Sequence, residues 1–369
     1  MGQIVLISFG QVPEPEVPRL WSVTALWRLN SCHLRAAYDC DRDVSDFLRR
    51  GSLYTALGNA AHALEEAVHR GDFDAEDETT LEAAIDRCWS ESLILELDLL
   101  QAQWPEYRIP RMRDLPRYAT IYCNATGRAA ESIRSRVSTA LPHQYARVEQ
   151  TLVDEDNAIL GRPDRYVVDG DGFSVFDIKS GVVDSEISPA HRHQLLTYCH
   201  LIERETALTP KAIAIQDIEG HLVSEKVSSV QVAEHISTIL ESRSRFLKRV
   251  GNTREWKDSA SPSQEACRFC DYRVICPAYW GQPADDIHEH DFKGSVISVP
   301  MPGVFTLSPD HKREGQPEIV SVSGYEQPIK PGAHVAVTGG WLVGNVLRAA
   351  IGTRVFEVRG QKPTDPIKT

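Results

Sequence analysis

Two aspartates and a lysine lie in a strand-like pattern that is typical of metal-assisted hydrolysis. Asp164 lies in "GRPDRYV", and Asp177 and Lys179 lie in "VFDIKSG". The two aspartates are thirteen positions apart in the sequence. The turn sequence "DGDG" (169–172) predicts a hairpin that brings both carboxylates to one end of a sheet. Residues two apart on a strand share a face, so Lys179 projects beside Asp177. Two carboxylates suit Mg²⁺ or Mn²⁺, and the ammonium can orient or activate water beside a phosphodiester.

The alternative interpretation of D-x-K is a solvated tripeptide on an exposed strand, which is the usual meaning of that pattern on its own. The apolar setting of "VFDIKSG" favours a functional site. Charges on either side of Ile178 would cost free energy if they were buried without a purpose.

Three further features fit the same site, although each is common by itself. Gln194 and Tyr198 in "HQLLTY" are four residues apart and share one helical face. His62 follows Gly58 in a helical pattern, where a histidine is more often structural than a ligand. Glu149 precedes "GRPD" on a predicted strand and is either a site residue or a surface acid.

A cluster of cysteines marks a second place for metal chemistry. "EACRFCDYRVICPAYW" (265–280) contains Cys267, Cys270 and Cys276 in a C-x2-C-x5-C pattern. Closed zinc and iron–sulfur sites use four ligands, so this segment needs one from elsewhere. Four other cysteines are scattered singly and are interpreted as ordinary, wholly or partly buried residues: Cys40, Cys88, Cys123 and Cys199.

The elements that must position these residues alternate between helix and strand. Apolar residues at spacings of three and four predict helices over 43–71, 79–104, 118–141, 189–206 and 229–250. Strand patterns cover 145–156, 158–181 and 211–227. These patterns predict a mixed α/β domain.

A polar linker (281–291) separates this region from a β-rich end. Short strand patterns with Gly/Pro turns predict a small β-barrel over 291–369, and 331–360 resembles an OB-type barrel. Its candidates for nucleic-acid contact are aromatic or basic: Phe305, Tyr325, Trp341 and Arg348. Aromatic residues in a small barrel are at least as often part of its core.

Composition limits the compartment and the partners. No apolar run approaches the ~20 residues of a membrane span, and the first ten residues do not form a signal peptide, so we expect a cytoplasmic protein with reduced thiols. The formal charge is −12. From Asp291 onward there are nine Lys and Arg against seven Asp and Glu, about +2, which leaves about −14 on the remainder. This lowers the expectation of tight non-specific nucleic-acid binding.

Taken in order, the motifs resemble the RecB-type branch of the PD-(D/E)XK nuclease superfamily. They are G-x3-H at 58–62, V-E at 148–149, G-R-x-D at 161–164, D-x-K at 177–179 and Q-x3-Y at 194–198. The resemblance runs from about residue 20 to 280 and begins with a Ser/Thr-rich helix that supplies Ser22, Thr24, Leu26 and Cys32. His33 stands where the family has a proline.

The resemblance implies a restriction-endonuclease-like core over 1–285, with a mixed central sheet flanked by helices. It implies that Asp164 and Asp177 bind the metal, with His62 and the Ile178 carbonyl as further ligands. Lys179 would position or activate water, and Gln194 and Tyr198 would support DNA or the lysine.

The iron–sulfur members of this branch, such as CRISPR-adaptation nucleases and the AddB nuclease domain, imply the missing cysteine ligand. By position, Cys32 would join Cys267, Cys270 and Cys276 around a [4Fe-4S] cluster that ties together segments some 235 residues apart. A four-cysteine zinc site and a loop with incidental cysteines are the alternatives.

The function implied is a Mg²⁺- or Mn²⁺-dependent deoxyribonuclease, an exonuclease on single-stranded or end-containing DNA that leaves 5′-phosphate and 3′-hydroxyl ends. DNA repair, CRISPR-type adaptation and phage defence are the expected settings. The alternatives are a non-catalytic iron–sulfur subunit that binds nucleic acid or serves as a scaffold, and a zinc-stapled structural protein. No P-loop is present, so any helicase or integrase partner is a separate chain.

Overall fold

The structure is a computed structural model, and it describes residues 15–41, 44–45, 48, 51–103, 109–138, 145–148, 150–179, 185–217, 221–252, 256–311, 317–323, 329–348 and 353–358. Two compact units divide the chain. The first, called the sheet unit, comprises Pro18–Trp27 and Gly51–Arg245. The second, called the cysteine unit, comprises Met1–Val17, Arg28–Arg50 and Phe246–Thr369. The boundary expected between residues 285 and 291 remains a proposal.

The helices with described bounds are numbered in chain order. They are α1 (Val23–Arg28), α2 (His33–Cys40), α3 (Leu53–Arg70), α4 (Leu81–Gln103), α5 (Tyr118–Ser138), α6 (Pro189–Thr206), α7 (Ser229–Asn252), α8 (Gln264–Arg268) and α9 (Pro277–Trp280). Among the described residues, none of these helices is long and apolar enough to cross a bilayer.

The strands of the described residues form three sheets. They are β1 (Trp21–Ser22), β2 (Tyr145–Val148), β3 (Leu152–Asp154), β4 (Ile159–Gly161), β5 (Arg165–Asp169), β6 (Gly172–Lys179), β7 (Thr209–Asp217), β8 (Leu222–Lys226), β9 (Phe292–Met301), β10 (Val304–Pro309), β11 (Val320–Ser323), β12 (His334–Thr338), β13 (Trp341–Val343), β14 (Val346–Arg348) and β15 (Arg354–Glu357). The orders are β1-β4-β3, β2-β5-β6-β7-β8 and β13-β14-β11-β10-β9-β12-β15.

Helix α3 begins later than its apolar pattern predicts. The Ser52 side chain caps the helix by accepting a hydrogen bond from the Thr55 N–H at 3.0 Å, and Gly51 and Ser52 are not helical. Gly71 ends the helix in the left-handed conformation at φ 82°. One continuous helix over 43–71 was therefore a wrong prediction, because the N-cap serine competes with helix continuation.

Helices α3, α4 and α5 pack around an apolar core in the sheet unit. Its fully buried members include Leu57, Leu64, Trp89 and Ile121. The core holds α3 in place, and α3 carries His62.

The five-stranded sheet contains the predicted hairpin. Strands β5 and β6 pair antiparallel, with Asp169 opposite Gly172 and Gly170 in the left-handed region at φ 63°. The predicted DGDG turn is thus confirmed. Strands β6 and β7 are parallel, and α6 lies between them in sequence, capped by the Ser188 side chain, which accepts from the His191 N–H.

The C-terminal strands form one curled seven-stranded sheet, a half-barrel. Its core includes Phe305, Leu307 and Val322. Phe305 is 2% exposed, so its candidacy for nucleic-acid contact was wrong, because its strand position points it into the core. Tyr325 lies outside the described residues. The OB-type topology remains a prediction.

Candidate active site

The hairpin brings Asp164 and Asp177 together at one end of the five-stranded sheet. Asp164 immediately precedes β5, and Asp177 lies near the end of β6. The Ile178 N–H donates a hydrogen bond of 2.7 Å to Asp164 Oδ2, so backbone fixes this carboxylate. Asp177 is 1% exposed. The structure thus joins the two acids that the sequence singles out.

Lys179 lies beside Asp177, as its position two residues along the strand predicts. Its Nζ is 2.7 Å from Asp177 Oδ2. The same oxygen is buried without a partner in hydrogen-bond geometry among the described residues, so the short contact is an ion pair with poor hydrogen-bond direction. An oxygen atom of this kind retains lone-pair capacity toward a cation.

Helix α6 supplies the other polar contacts. Gln194 Nε2 donates to Asp177 Oδ1 at 3.3 Å and to the Tyr198 hydroxyl oxygen at 3.1 Å. Gly161 of the GRPD motif lets this helix approach closely. A Cβ at Gly161 would lie 2.6 Å from Leu201 Cδ1 and 3.0 Å from Tyr198 Cε1, shorter than normal contacts.

Burial keeps both carboxyl groups harder to ionise than usual. Burial, and then the charge of Asp164, raises the pKa of Asp177 to about 6. Burial also raises the pKa of Asp164, against the opposing hydrogen bond from Ile178. Two close acids with raised pKa values are typical of functional sites, since a cation offsets their repulsion.

His62 lies near this pair on α3. Burial lowers its pKa, and the charges of Glu65, Asp177 and Lys179 also act on it. A lowered pKa favours the neutral imidazole, the form that binds metals. Glu149 lies outside the described residues, and the role of the Ile178 carbonyl remains a prediction.

The donor set fits a hard divalent cation through two ligands. Mg²⁺ is commonly held by one or two carboxylates, together with water and substrate phosphate. Asp164 offers a half-buried carboxylate and Asp177 a buried one. In the described part of the chain, Asp177 Oδ2 has no partner in good hydrogen-bond geometry. Among the described residues, no group of three or more His, Cys, Asp and Glu side chains is arranged as a metal site, so His62 does not complete a third ligand in this geometry.

The cysteine unit gathers the other predicted ligands around one pocket. Cys32 precedes α2, Cys267 lies in α8, and Cys276 precedes α9. All four lie among the residues that line the pocket, including Cys270. The thiols converge there without meeting the geometry of a metal site in the part of the chain that is described.

Arginines hold the segments that carry these thiols. Arg35 donates to the carbonyl oxygens of Ala266 and Phe269, both at 3.1 Å, which ties α2 to the C-x2-C turn. Arg273 donates to the carbonyl oxygen of Arg268 at 2.8 Å and pairs with buried Asp291, with Nε 2.6 Å from Oδ2. His33, at the family's proline position, packs edge-on against Phe246.

Burial disfavours free thiolates in this pocket. It raises the pKa of Cys270 and of Cys276 to about 12, and Arg35 opposes the rise at Cys270. Buried thiols become thiolates readily when they bind a metal or a cluster. Four soft sulfur donors therefore fit iron–sulfur or zinc and not a hard cation.

The two remaining candidates face each other on the half-barrel. Trp341 and Arg348 are register partners across β13 and β14, and Trp341 is 65% exposed. The same register row continues through Ser323 and Val304 to Met301. The structure therefore brings Trp341 and Arg348 onto one exposed row.

Three charged residues near the carboxylates escaped the motif analysis. Glu65 acts on the pKa values of Asp164 and His62, and Arg128 acts on that of His62. Arg165, next to Asp164, has an Nη1 that lies 3.8 Å from Glu65 Oε1. Only the H-x2-E spacing of His62 and Glu65 is visible in sequence.

A half-buried carboxylate, a buried carboxylate and a lysine at one end of a mixed α/β sheet are the groups that metal-assisted phosphodiester hydrolysis uses. A family model described as "PD-(D/E)XK nuclease superfamily" matches residues 20–277, so the chain belongs to this superfamily, whose members are generally metal-dependent nucleases. No curated protein matches the chain.

Solved structures add little to this assignment. One that matches is described as "Crystal structure of SSO0001". It is 16% identical, and the match covers 58% of this chain and 95% of that one, with a TM-score of 0.24. A TM-score of 0.24 does not indicate a shared fold, so the family assignment does not rest on this structure.

Proposed function

We propose that the protein is a deoxyribonuclease that cleaves single-stranded or end-containing DNA with Mg²⁺ or Mn²⁺, acting as an exonuclease. The observation that carries this proposal is buried Asp177 beside half-buried Asp164, with Lys179 Nζ 2.7 Å from Asp177 Oδ2. Repair, CRISPR-type adaptation and phage defence are proposed settings on the resemblance to iron–sulfur nucleases alone, with any helicase or integrase as a separate chain.

The residues divide the work of hydrolysis. When bound by Asp164 and Asp177, a divalent cation supplies charge neutralisation at the phosphate. Lys179 orients the attacking water and offsets charge that develops on the phosphate oxygens. Gln194 holds Asp177 in place through its 3.3 Å hydrogen bond, and Tyr198 holds Gln194. The expected products carry 5′-phosphate and 3′-hydroxyl ends.

We infer that the four pocket cysteines hold a [4Fe-4S] cluster. Support comes from their shared pocket and from Arg35 and Arg273, whose charges oppose the rise that burial causes in the pKa of Cys267. A cluster bound by Cys32 and the three later cysteines would fix α2 against the C-x2-C turn.

We also propose that the half-barrel contacts single-stranded DNA through Trp341 and Arg348. An exposed indole offers a base a stacking surface, and the neighbouring guanidinium offers a charge for phosphate. Their register pairing across β13 and β14 supports this role.

The test of the nuclease is cleavage of single- and double-stranded DNA labelled at the 5′ or the 3′ end, with Mg²⁺ or Mn²⁺. Wild type should shorten labelled strands from an end, and Asp177→Ala should be inactive. Asp169→Ala is the matched control, because this acid lies in the same hairpin but is exposed at the turn.

Two results would contradict the proposal. Equal cleavage by wild type and Asp177→Ala would exclude this carboxylate from the chemistry. Absence of cleavage by a folded, metal-loaded wild type that still binds DNA would favour the non-catalytic iron–sulfur subunit.

A further inference from the structure

A pocket on the sheet unit lies outside the contacts assigned to catalysis. Its volume is about 300 Å³, enough for several waters and hence for an oxyanion. Helices α3 and α5 and strands β5 and β7 line it. The titratable side chains of the lining are those of Glu65, His69, Arg128, Glu131 and Arg165.

Register places this pocket on the face of the sheet opposite the Gln194–Asp177 contact. Arg165 pairs with Phe176, the neighbour of Asp177 along β6. Successive side chains of a strand alternate between faces, so Arg165 and Asp177 point to opposite sides. Gln216, also in the lining, pairs with Ile178 and shares the face of Arg165.

Arg165 is fixed in the pocket while a donor stays unused. Its guanidinium carbon lies 4.4 Å from the centroid of the Phe176 ring, an orienting cation–π contact. Its Nε is buried and has no hydrogen-bond partner among the described residues. The nearest carboxylate, Glu65, is 3.8 Å from Nη1, beyond hydrogen-bond distance.

Arg128 adds a second oriented cation. Its Nη1 donates to the Asp217 carbonyl oxygen at 2.8 Å, which fixes the guanidinium against the sheet. The pocket's other acid, Glu131, is exposed. Two guanidinium groups thus face one partly buried carboxylate, and a buried donor without a partner costs free energy unless a ligand satisfies it.

The pocket lies at the same end of the sheet as the catalytic carboxylates, on the opposite face from Asp177. Arg165 is the first residue of β5 and directly follows Asp164, and its register partner Phe176 directly precedes Asp177. An anion held between the two arginines would therefore lie next to the ends of β5 and β6. Guanidinium groups are the side chains best matched to phosphate oxygens.

We propose that Arg128 and Arg165 form a phosphate-binding subsite, which holds a backbone phosphate of the substrate strand at the same end of the sheet as the catalytic carboxylates. This inference rests on the proposed nuclease function. The subsite fixes the strand's position without taking part in bond cleavage, so both arginines are positioning residues.

The experiment measures binding of a fluorescein-labelled single strand of about 20 nucleotides by anisotropy, in chelator and across about 50 to 200 mM salt. Arg128→Met and Arg165→Met remove the charge and keep the side-chain length. Each should weaken binding about tenfold and reduce the salt slope by about 0.7. Arg165→Lys should retain the slope, which a merely structural role would not predict.

The matched control is Arg134→Met on α5, whose arginine pairs with Glu78 and does not line the pocket. It should bind like wild type. Equal binding by Arg128→Met, Arg165→Met and wild type would overturn the subsite, and so would an equal loss in Arg134→Met. If Arg165→Met fails to fold, Arg128→Met and Arg165→Lys decide the question.

Two further measurements distinguish a site for free phosphate from a contact with the DNA backbone, and failure of the subsite from failure of the nuclease function. The first adds inorganic phosphate and measures the melting temperature. If phosphate stabilises wild type but not Arg165→Met, and all variants bind DNA equally, the pocket is a site for free phosphate and the proposed strand contact is overturned. If the wild type does not cleave DNA but both arginine variants bind it more weakly than the wild type, the subsite is supported and the nuclease function is contradicted. A wild type that neither cleaves nor binds DNA would overturn both.

Discussion

The carboxylate site and the cysteine pocket use buried ionisable groups in different ways. Asp164 immediately precedes one strand of a hairpin and Asp177 lies on the other, and a backbone N–H holds the Asp164 carboxylate. The cysteines come from segments some 235 residues apart, and arginine contacts to carbonyl oxygens hold those segments together. Secondary structure positions the first set, and tertiary contacts position the second.

This difference separates activity from stability. A hairpin keeps its geometry when a carboxylate is removed, so changes at Asp177 should affect chemistry more than folding. A pocket formed by distant segments gains its order partly from whatever its thiols bind, because a bound metal or cluster contributes folding free energy. Changes at the cysteines should therefore affect folding first.

After the inactive Asp177→Ala variant, the largest expected effect is that of Lys179→Ala. Loss of the ammonium should lower kcat by about 10³-fold, as for other groups that stabilise charge in a transition state, with little change in the melting temperature. The measurement is steady-state cleavage of end-labelled DNA with Mn²⁺. Lys211→Ala is the control, since that lysine lies on neighbouring β7 near the hairpin turn. Full activity in Lys179→Ala would remove the lysine from the mechanism.

The second prediction concerns the pocket. Protein purified anaerobically should be brown and contain iron and sulfide, and Cys276→Ser should lose the visible absorption and several kcal/mol of the free energy of unfolding. Exposed Cys123→Ser is the control and should keep both. If the purified protein is colourless and contains zinc, the cysteines hold a zinc ion and the assignment of an iron–sulfur cluster is wrong.

Gln194→Ala should have a smaller effect on activity. Groups that orient a metal ligand typically contribute 10- to 100-fold, so activity should fall by about that factor. Tyr198→Phe should cost less, because the phenol reaches Asp177 only through Gln194. Mn²⁺ affinity and cleavage rate should fall together, whereas a fall in cleavage alone would assign Gln194 to DNA.

The pH dependence of cation binding should report the raised pKa of Asp177. Below about pH 6 this carboxyl is protonated in the folded protein, so a cation must displace its proton. Apparent Mn²⁺ affinity should be constant from pH 7 to 8 and fall up to about tenfold per unit below pH 6. Titration calorimetry at pH 5 and pH 7.5 measures this, and equal affinities at the two values would contradict the raised pKa.

The same shift has a consequence for stability. The pKa of Asp177 is about 6 in the folded protein and has an ordinary value of 3.8. The free energy of unfolding of the cation-free protein therefore falls as the pH rises from 3.8 to about 6. Asp177→Asn should remove this loss and raise the unfolding free energy at pH 7.5.

The smallest effect should be that of Trp341→Ala. The indole is 65% exposed, so its loss should leave the melting temperature unchanged while single-strand affinity falls about fivefold. Trp27→Ala provides the comparison, because that tryptophan is also partly exposed but lies outside the half-barrel. Unchanged affinity in Trp341→Ala would leave the half-barrel without a role in binding.

Local patterns explain why much of the carboxylate site could be predicted. Strand alternation places Lys179 beside Asp177, and the Gly170 turn returns the chain so that Asp164 comes close to Asp177. Helical spacing similarly places Gln194 near Tyr198. Each of these relations spans only a few residues or one tight turn.

The features that escaped prediction depend on packing between distant elements. Arg165 reads as an ordinary strand residue until α3 and α5 are packed on its face of the sheet. Phe305 resembles an exposed aromatic until the half-barrel's register directs it inward. The start of α3 depended on a choice between helix continuation and the Ser52 cap, which apolar periodicity does not contain.

Gly161 is a position at which an alanine scan of this protein would give a misleading result. Such scans equate a large effect with the loss of a functional group, yet here the change adds one carbon. That carbon would press on Leu201 and Tyr198, displace α6 and break the 3.3 Å contact of Gln194 with Asp177. A position that contributes no atom to the chemistry would then score beside the catalytic residues.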